Sequence, residues 1–299
     1  MENSRKHRSL INLKPLRKRL EDVSRKTSLR LDVVQQDYIL SWLLVGIFQH
    51  PELNSSLIFK GGTALKKGYF GEYRFSEDLD FSTKGAIPDC FFQMITEATQ
   101  NAEMQIREFA PVQLTAKKYE EKIPHPGGQQ AFTISAQFPW QSQPLTTAMI
   151  EISCNERVVL QPVIKPLLHF YGESIDLQMN LYSIEEIIIE KLRAILQHTK
   201  KLHERDWSRS RARDYYDLWR IFETFEDQIN WEVINKNLAL KCSHKDVSFK
   251  NPADFFDDKM VQLVSRTWNR WLSPLVPQLP NCYTVIEELR AKIYSTLKI

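Results

Sequence analysis

Four cysteines are scattered through this chain, Cys90, Cys154, Cys242 and Cys282, and no two of them stand in Cys-x-x-Cys spacing. Neither a zinc site nor a disulfide framework is therefore expected, and a reducing cytoplasm is the compartment that fits. An excess of one charge is also missing: the net charge of +3 gives no global argument for nucleic-acid binding, so any such argument must rest on local clusters. No run reads as long and apolar enough to span a bilayer. The basic start Arg5-Lys6-His7-Arg8 leads into more charge and not into the apolar segment of a signal peptide, so no membrane attachment is expected. Internal repeats and low-complexity tracts are absent as well. What remains, 42% hydrophobic and 26% charged residues over 299 positions, describes a globular protein with room for two modest domains.

The most informative stretch is 57–82. Leu57-Ile58-Phe59 is a short apolar run, a buried-strand signal, and it breaks at Gly61-Gly62, where the backbone turns freely. Thr63 to Tyr69 reads as a short helix. A strand that feeds a glycine turn and a helix N-terminus presents free N–H groups to a phosphate. A second strand is expected over Phe75 to Ser82, in which Asp78 and Asp80 lie two apart and share a face while Leu79 and Phe81 point to the core. Adjacent carboxylates repel, raise each other's pKa and invite a divalent cation. Mg²⁺ takes one or two carboxylates together with phosphate oxygens of a substrate. Glycine turn and acidic pair together point to a metal–nucleotide complex.

The rest of the chain supports this stretch. Apolar residues from Val34 to Phe48 predict a well-buried helix, and Phe91 to Ile106 fall at helical spacing within 88–108. Strands over 112–122 and from Phe132, joined at Pro126-Gly127-Gly128, read as a β-hairpin. The run Ala148 to Cys154 places Glu151 mid-strand between apolar neighbours: either it has a partner, or it is an edge-strand carboxylate facing water. From Ser183 the period turns helical, with a capping box to Glu186 and a stripe of Ile184, Ile187, Ile188, Leu192, Ile195 and Leu196. Lys191 lies inside that stripe, where it either snorkels outward or meets an anion in a cleft. Basic residues including Lys200, Lys201, Arg205, Arg209 and Arg211 follow, with Trp207 among them; they form either a solvated loop or a phosphate-backbone contact. Three amphipathic helices are expected beyond residue 225, over 231–240, 255–271 and 285–297.

Lys60-Gly61-Gly62-Thr63-Ala64-Leu65, a lysine soon after, and then Arg74-Phe75-Ser76-Glu77-Asp78-Leu79-Asp80 resemble the signature of the AbiEii-type (MenT-like) nucleotidyltransferase toxins, within the polymerase-β-like nucleotidyltransferases. The resemblance implies an α+β fold: a mixed sheet flanked by helices over 1–180, and a C-terminal helical domain over 181–299 that closes a nucleotide cleft. It implies a cytoplasmic, metal-dependent toxin of a toxin–antitoxin or abortive-infection (antiviral defence) system, moving NMP from an NTP to RNA, above all the tRNA 3′ end. Asp78 and Asp80 would hold Mg²⁺ or Mn²⁺, with Glu151 as third ligand or base. Gly61, Gly62 and Thr63 would cradle phosphates, with Lys66 and Lys191 on the pyrophosphate. Arg74 would bind phosphate or pair with Glu77. A lysine in a Glu-Lys-Leu-Arg-Ala helix and an Arg-Asp-x-x-Asp-Leu motif also resemble the family, which carries functional roles onto Lys191 and Asp214; Asp217 would be a cap or an ion-pair partner. A winged-helix, AbiEi-like antitoxin is the implied partner, without a required stable complex. A protein or small-molecule hydroxyl as acceptor, and an inactive nucleotide-sensing module, are the competing readings.

Overall fold

The computed structural model describes residues 13–85, 90–119 and 129–298. A seven-stranded sheet runs through the first part of the chain in the order β3-β4-β5-β2-β1-β7-β6. Its centre is β1 (Leu57–Lys60), β2 (Asp78–Thr83) and β5 (Thr146–Ser153), with β1 antiparallel and β5 parallel to β2. On one flank β5 pairs with β4 (Gln129–Gln137) and β4 with β3 (Gln113–Lys118), both antiparallel, which is the expected hairpin. Its expected Pro126-Gly127-Gly128 turn lies outside the described residues. On the other flank β7 (Gln178–Leu181) runs parallel to β1 and antiparallel to β6 (Val163–Pro166).

One face of the sheet is apolar because alternate residues of the central strands are: Phe59, Leu79, Phe81, Ile150 and Ile152 join one buried cluster. Helices α2 (Leu31–Gln49) and α5 (Phe91–Ile106) supply the other side of that cluster, with Phe48 packed against Phe59 and Phe81. By length and composition α2 is apolar enough to cross a membrane, contrary to the reading above. It is instead mostly buried inside the protein, apolar on every side because it is covered on every side.

The opposite face meets the helical half. There α6 (Ile184–Arg205), α7 (Ala212–Phe225), α8 (Trp231–Ser243), α9 (Asp258–Leu272) and α10 (Cys282–Thr296) share a second cluster, which reaches the sheet through Ile58, Leu65, Tyr73 and Tyr182. The mixed sheet with flanking helices is the α+β architecture expected.

Four local expectations are corrected. The acidic strand starts at Asp78, since the N–H of Phe75 goes to the carbonyl of Leu275 (2.8 Å) and not to a neighbouring strand. Strands β6 and β7, four residues each, gave no sequence signal. Ser183 caps α6 by accepting from the Glu186 N–H, but the capping box is only half formed. The Glu186 carboxylate instead accepts from Lys241 Nζ (2.9 Å) and the Leu160 N–H (2.8 Å). The basic run to Arg205 is helical, as the end of α6, and the loop begins only at Asp206.

Gly46 marks the tightest crossing of α2 and α5: a Cβ there would lie 2.0 Å from the Ala98 carbonyl oxygen. Helix propensity alone makes Gly46→Ala favourable by about 1 kcal/mol, but overpacking of this kind costs about 1–3 kcal/mol. We expect a net loss of stability in urea denaturation; a raised midpoint would show that the crossing has slack.

Candidate active site

The polar face of the sheet is built from the residues between those of the core. Asp78, Asp80 and Ser82 on β2 are in register with Met149, Glu151 and Ser153 on β5, and Asp80 is also opposite Lys60 on β1. Paired positions share a face, so Asp78, Asp80 and Glu151 form one acidic group, and Glu151 is not an edge residue. Its Oε2 accepts from Gln129 Nε2 at 2.7 Å on the next strand. Among the described residues the Asp78 and Asp80 carboxylates have no hydrogen-bond or ion-pair partner, although both are half-buried. Burial first, and then neighbouring carboxylates, push Asp78 up to about 7 and Asp80 up to about 6. Lys60 stands beside them, its ammonium donating to Ser153 Oγ at 3.1 Å.

The glycine turn is shaped by this group. Gly61 has φ +80, and a Cβ on it would lie 2.3 Å from Asp80 Oδ2. A Cβ on Gly62 would lie 2.1 Å from Arg74 Nη2. The two glycines therefore make room for a carboxylate and a guanidinium at the head of α4 (Gly61–Leu65), a helix of five residues that passes into a π-turn over Lys66–Phe70.

Across a cavity of about 850 Å³ stands a wall of ion pairs from the helical half. Lys191 Nζ on α6 donates to Asp214 Oδ1 (2.9 Å) and Asp217 Oδ2 (2.6 Å), both on α7. Arg74 holds Asp217 through Nε (2.6 Å) and Nη2 (2.8 Å), and Arg211 pairs with Asp214. Three cations against two carboxylates leave this wall with an excess of positive charge. Arg74 and Lys191 hold the Asp217 carboxyl well below the usual range despite its burial, and the Lys191 ammonium is itself raised by Asp217 and Asp214 against the cost of burial.

Most of the expected residues meet here: Gly61, Gly62, Arg74, Asp78, Asp80, Glu151, Lys191, Asp214, Arg209 and Arg211 all line the cavity. Others do not. Thr63 is fully buried and spends its hydroxyl on the Asp78 carbonyl, so it braces the acidic strand and offers no side chain to a phosphate. Lys66 does not line this cavity: its ammonium stands 3.9 Å from the Phe75 ring centroid and it lines a second cavity instead. Arg74 pairs with Asp217, while Glu77 pairs with Arg213 (2.5 Å). Lys200, Lys201 and Arg205 do not line the cavity, and Lys200 reaches the Asp246 carbonyl (2.9 Å) instead.

Sequence reasoning missed Lys60, Tyr182, Glu190, Arg270 and Trp271 as lining residues. Trp271 and Trp207 are 42% and 69% exposed, and the Arg213 and Arg270 guanidinium groups lie 5.6 and 5.7 Å from the Trp271 ring. Exposed aromatic residues beside arginines were a readable signal in Trp207-Ser208-Arg209 and Arg270-Trp271.

Among the described residues no three His, Cys, Asp or Glu side chains converge as a ready-made metal cluster. The donor set nonetheless fits a hard divalent cation: oxygen ligands only, two of them unpaired and raised in pKa by burial and by neighbouring carboxylates. A carboxyl whose folded pKa is raised favours folding below its ordinary range and loses that contribution as pH rises through the folded value. In EDTA, then, the contribution of Asp78 and Asp80 to stability should fall from about pH 4 to about pH 8, and Asp78→Asn should restore about 1–3 kcal/mol at the upper pH with little effect at the lower. Urea denaturation at the two pH values checks this; no gain at the upper pH would overturn it.

No curated protein matches the chain significantly. Among solved structures, an antigenic nucleotidyltransferase-like protein from Paracoccidioides brasiliensis is 16% identical, over 74% of this chain and 98% of its own, at a TM-score of 0.35. That superposition is too loose to carry an argument. The family described as "Nucleotidyl transferase AbiEii toxin, Type IV TA system" matches residues 42–293, from within α2 into α10 and across both walls of the cavity. The chain belongs to this family of type IV toxin–antitoxin nucleotidyltransferases.

Proposed function

We propose that the 850 Å³ cavity binds an NTP with a divalent cation, Mg²⁺ or Mn²⁺, and that the enzyme transfers NMP to a hydroxyl of RNA, foremost the 3′ end of tRNA. One observation carries the reading: unpaired, half-buried Asp78 and Asp80 face the cationic Lys191–Arg211 wall across a single nucleotide-sized space. In nucleotidyl transfer the acceptor oxygen attacks the α-phosphorus and pyrophosphate leaves, so opposite electrostatics are needed at the two ends of the phosphate chain.

Asp78, Asp80 and Glu151 would hold the cation, which when bound supplies Lewis-acid stabilisation of charge on the phosphoryl oxygens. Glu151 is held by Gln129 at one oxygen and keeps the other for a ligand or a proton from the acceptor. Gly61 and Gly62 offer backbone approach to phosphate oxygens. Lys191 stays protonated between Asp214 and Asp217, and with Arg211 it would neutralise the departing pyrophosphate. Asp214 would orient Lys191 and Arg211, or the nucleotide itself.

The acceptor reading rests on the mouth of the cavity. Trp207 and Trp271 expose flat rings there, interleaved with Arg209, Arg213 and Arg270, the combination that stacks bases and tracks a phosphate backbone. Lys200, Lys201 and Arg205 continue the basic surface along α6. Arrest of translation in the cytoplasm would follow from a modified tRNA end, and the cognate antitoxin would neutralise that arrest without a stable complex with this chain.

Incubating the protein with each α-³²P-NTP, Mg²⁺ and total tRNA should put label on tRNA, and Asp80→Asn should lower that transfer by at least about 10²-fold. EDTA should abolish it. Label on protein or small molecules, and not on RNA, would move the acceptor; metal-independent growth arrest that survives Asp80→Asn would favour an inactive nucleotide-sensing module.

Trp271→Ala should raise the KM for tRNA by about tenfold while leaving the KM for NTP unchanged. An equal rise for both would place Trp271 with the nucleotide and not with the acceptor.

A further inference from the structure

Behind Arg74 lies a second cavity, of about 610 Å³, bounded by Lys66, Tyr73, Phe170 and Trp219. Arg74 lines both cavities. The charges around the second cavity are paired with one exception. Lys67 pairs with Asp37 (2.7 Å), Lys26 with Glu72 (3.0 Å), Arg220 with Glu223 (3.0 Å) and Arg74 with Asp217. Lys66 is 7% exposed, and among the described residues its ammonium has neither an ion-pair nor a hydrogen-bond partner, only the face of the Phe75 ring. A buried ammonium in that state calls for an anion. As a compact point charge it suits a phosphate.

The lining of the cavity also suits a flat ring. Phe170 is 64% exposed, an apolar ring left in water at the rim. It is seated there because Gly71, at φ +68, lets it approach: a Cβ on Gly71 would lie 2.9 Å from Phe170 Cζ. Trp219 adds a second ring at the cavity wall. An unpaired buried cation, an exposed aromatic ring and a half-buried one, lining a single volume of this size, match one mononucleotide.

We propose that this second cavity binds a nucleoside monophosphate, with its phosphate on Lys66 and its base against Phe170. The proposal stands apart from the reading of the active cavity, and its test needs no transfer reaction. The full chain is titrated calorimetrically in EDTA with AMP and, separately, with inorganic phosphate, as wild type, Lys66→Met and Phe170→Ala. Saturable AMP binding is expected, weaker by at least about tenfold in each variant, with inorganic phosphate bound more weakly than AMP. Phe170 is exposed, so Phe170→Ala should melt as the wild type does and keep its transfer activity even if Lys66→Met folds poorly. Absence of AMP binding, AMP binding indifferent to Phe170→Ala, or inorganic phosphate bound as tightly as AMP would each overturn the proposal.

Discussion

The carboxylate of Asp217 joins the two halves of this protein. It is fully buried on α7, yet it accepts from the Tyr73 hydroxyl (2.6 Å) and both arms of Arg74, which come from the sheet half, and from Lys191 on α6. A buried charge survives only when its hydrogen bonds are all met, and here four donors converge on two oxygens. The same contacts fix Lys191 and Arg74, so the position of the cationic wall relative to the acidic strand depends on this one group. Such a network is worth less as net stability than as a specification of geometry, because each ion lost its hydration to enter it.

The active cavity is organised as a separation of charge. Asp78, Asp80 and Glu151 stand unneutralised on the sheet, and across from them Lys191 and Arg211 on the helices, joined by Arg74 of the sheet half, outnumber Asp214 and Asp217. Within each half this arrangement is costly. Close proximity of the halves would make it useful under the proposed function, since a triphosphate with its cation would satisfy both at once. Gly61 and Gly62 serve this arrangement through steric absence: any side chain at either would displace Asp80 or Arg74. Lys66, in the same motif, lines a different cavity.

What could be read directly from the residues was local. Two carboxylates spaced by one residue in a strand must share a face, so Asp78 and Asp80 were legible as a pair; a lysine inside an apolar helical stripe could snorkel outward or meet an anion, and for Lys191 the family resemblance favoured the second. The resemblance of the Gly-Gly-Thr and Arg-Asp-x-x-Asp-Leu motifs added Asp214 and the α+β architecture.

The remaining features depended on contacts between distant segments, which no local period encodes. Glu151 joins the acidic pair only because β5 lies parallel to β2 in a register that sets it beside Asp80; a shift of one residue would turn it to the core. Arg74 passes over its neighbour Glu77 for Asp217, 143 positions along the chain, because burial rewards the partner that can supply a bidentate grip. Lys66 lines the second cavity and not the one that Gly61 and Gly62 line, and Trp271 reaches the latter through the packing of α9 on α7. Sequence determines which chemical groups are present and which face each takes within its own element; only the packing of elements decides which of them meet.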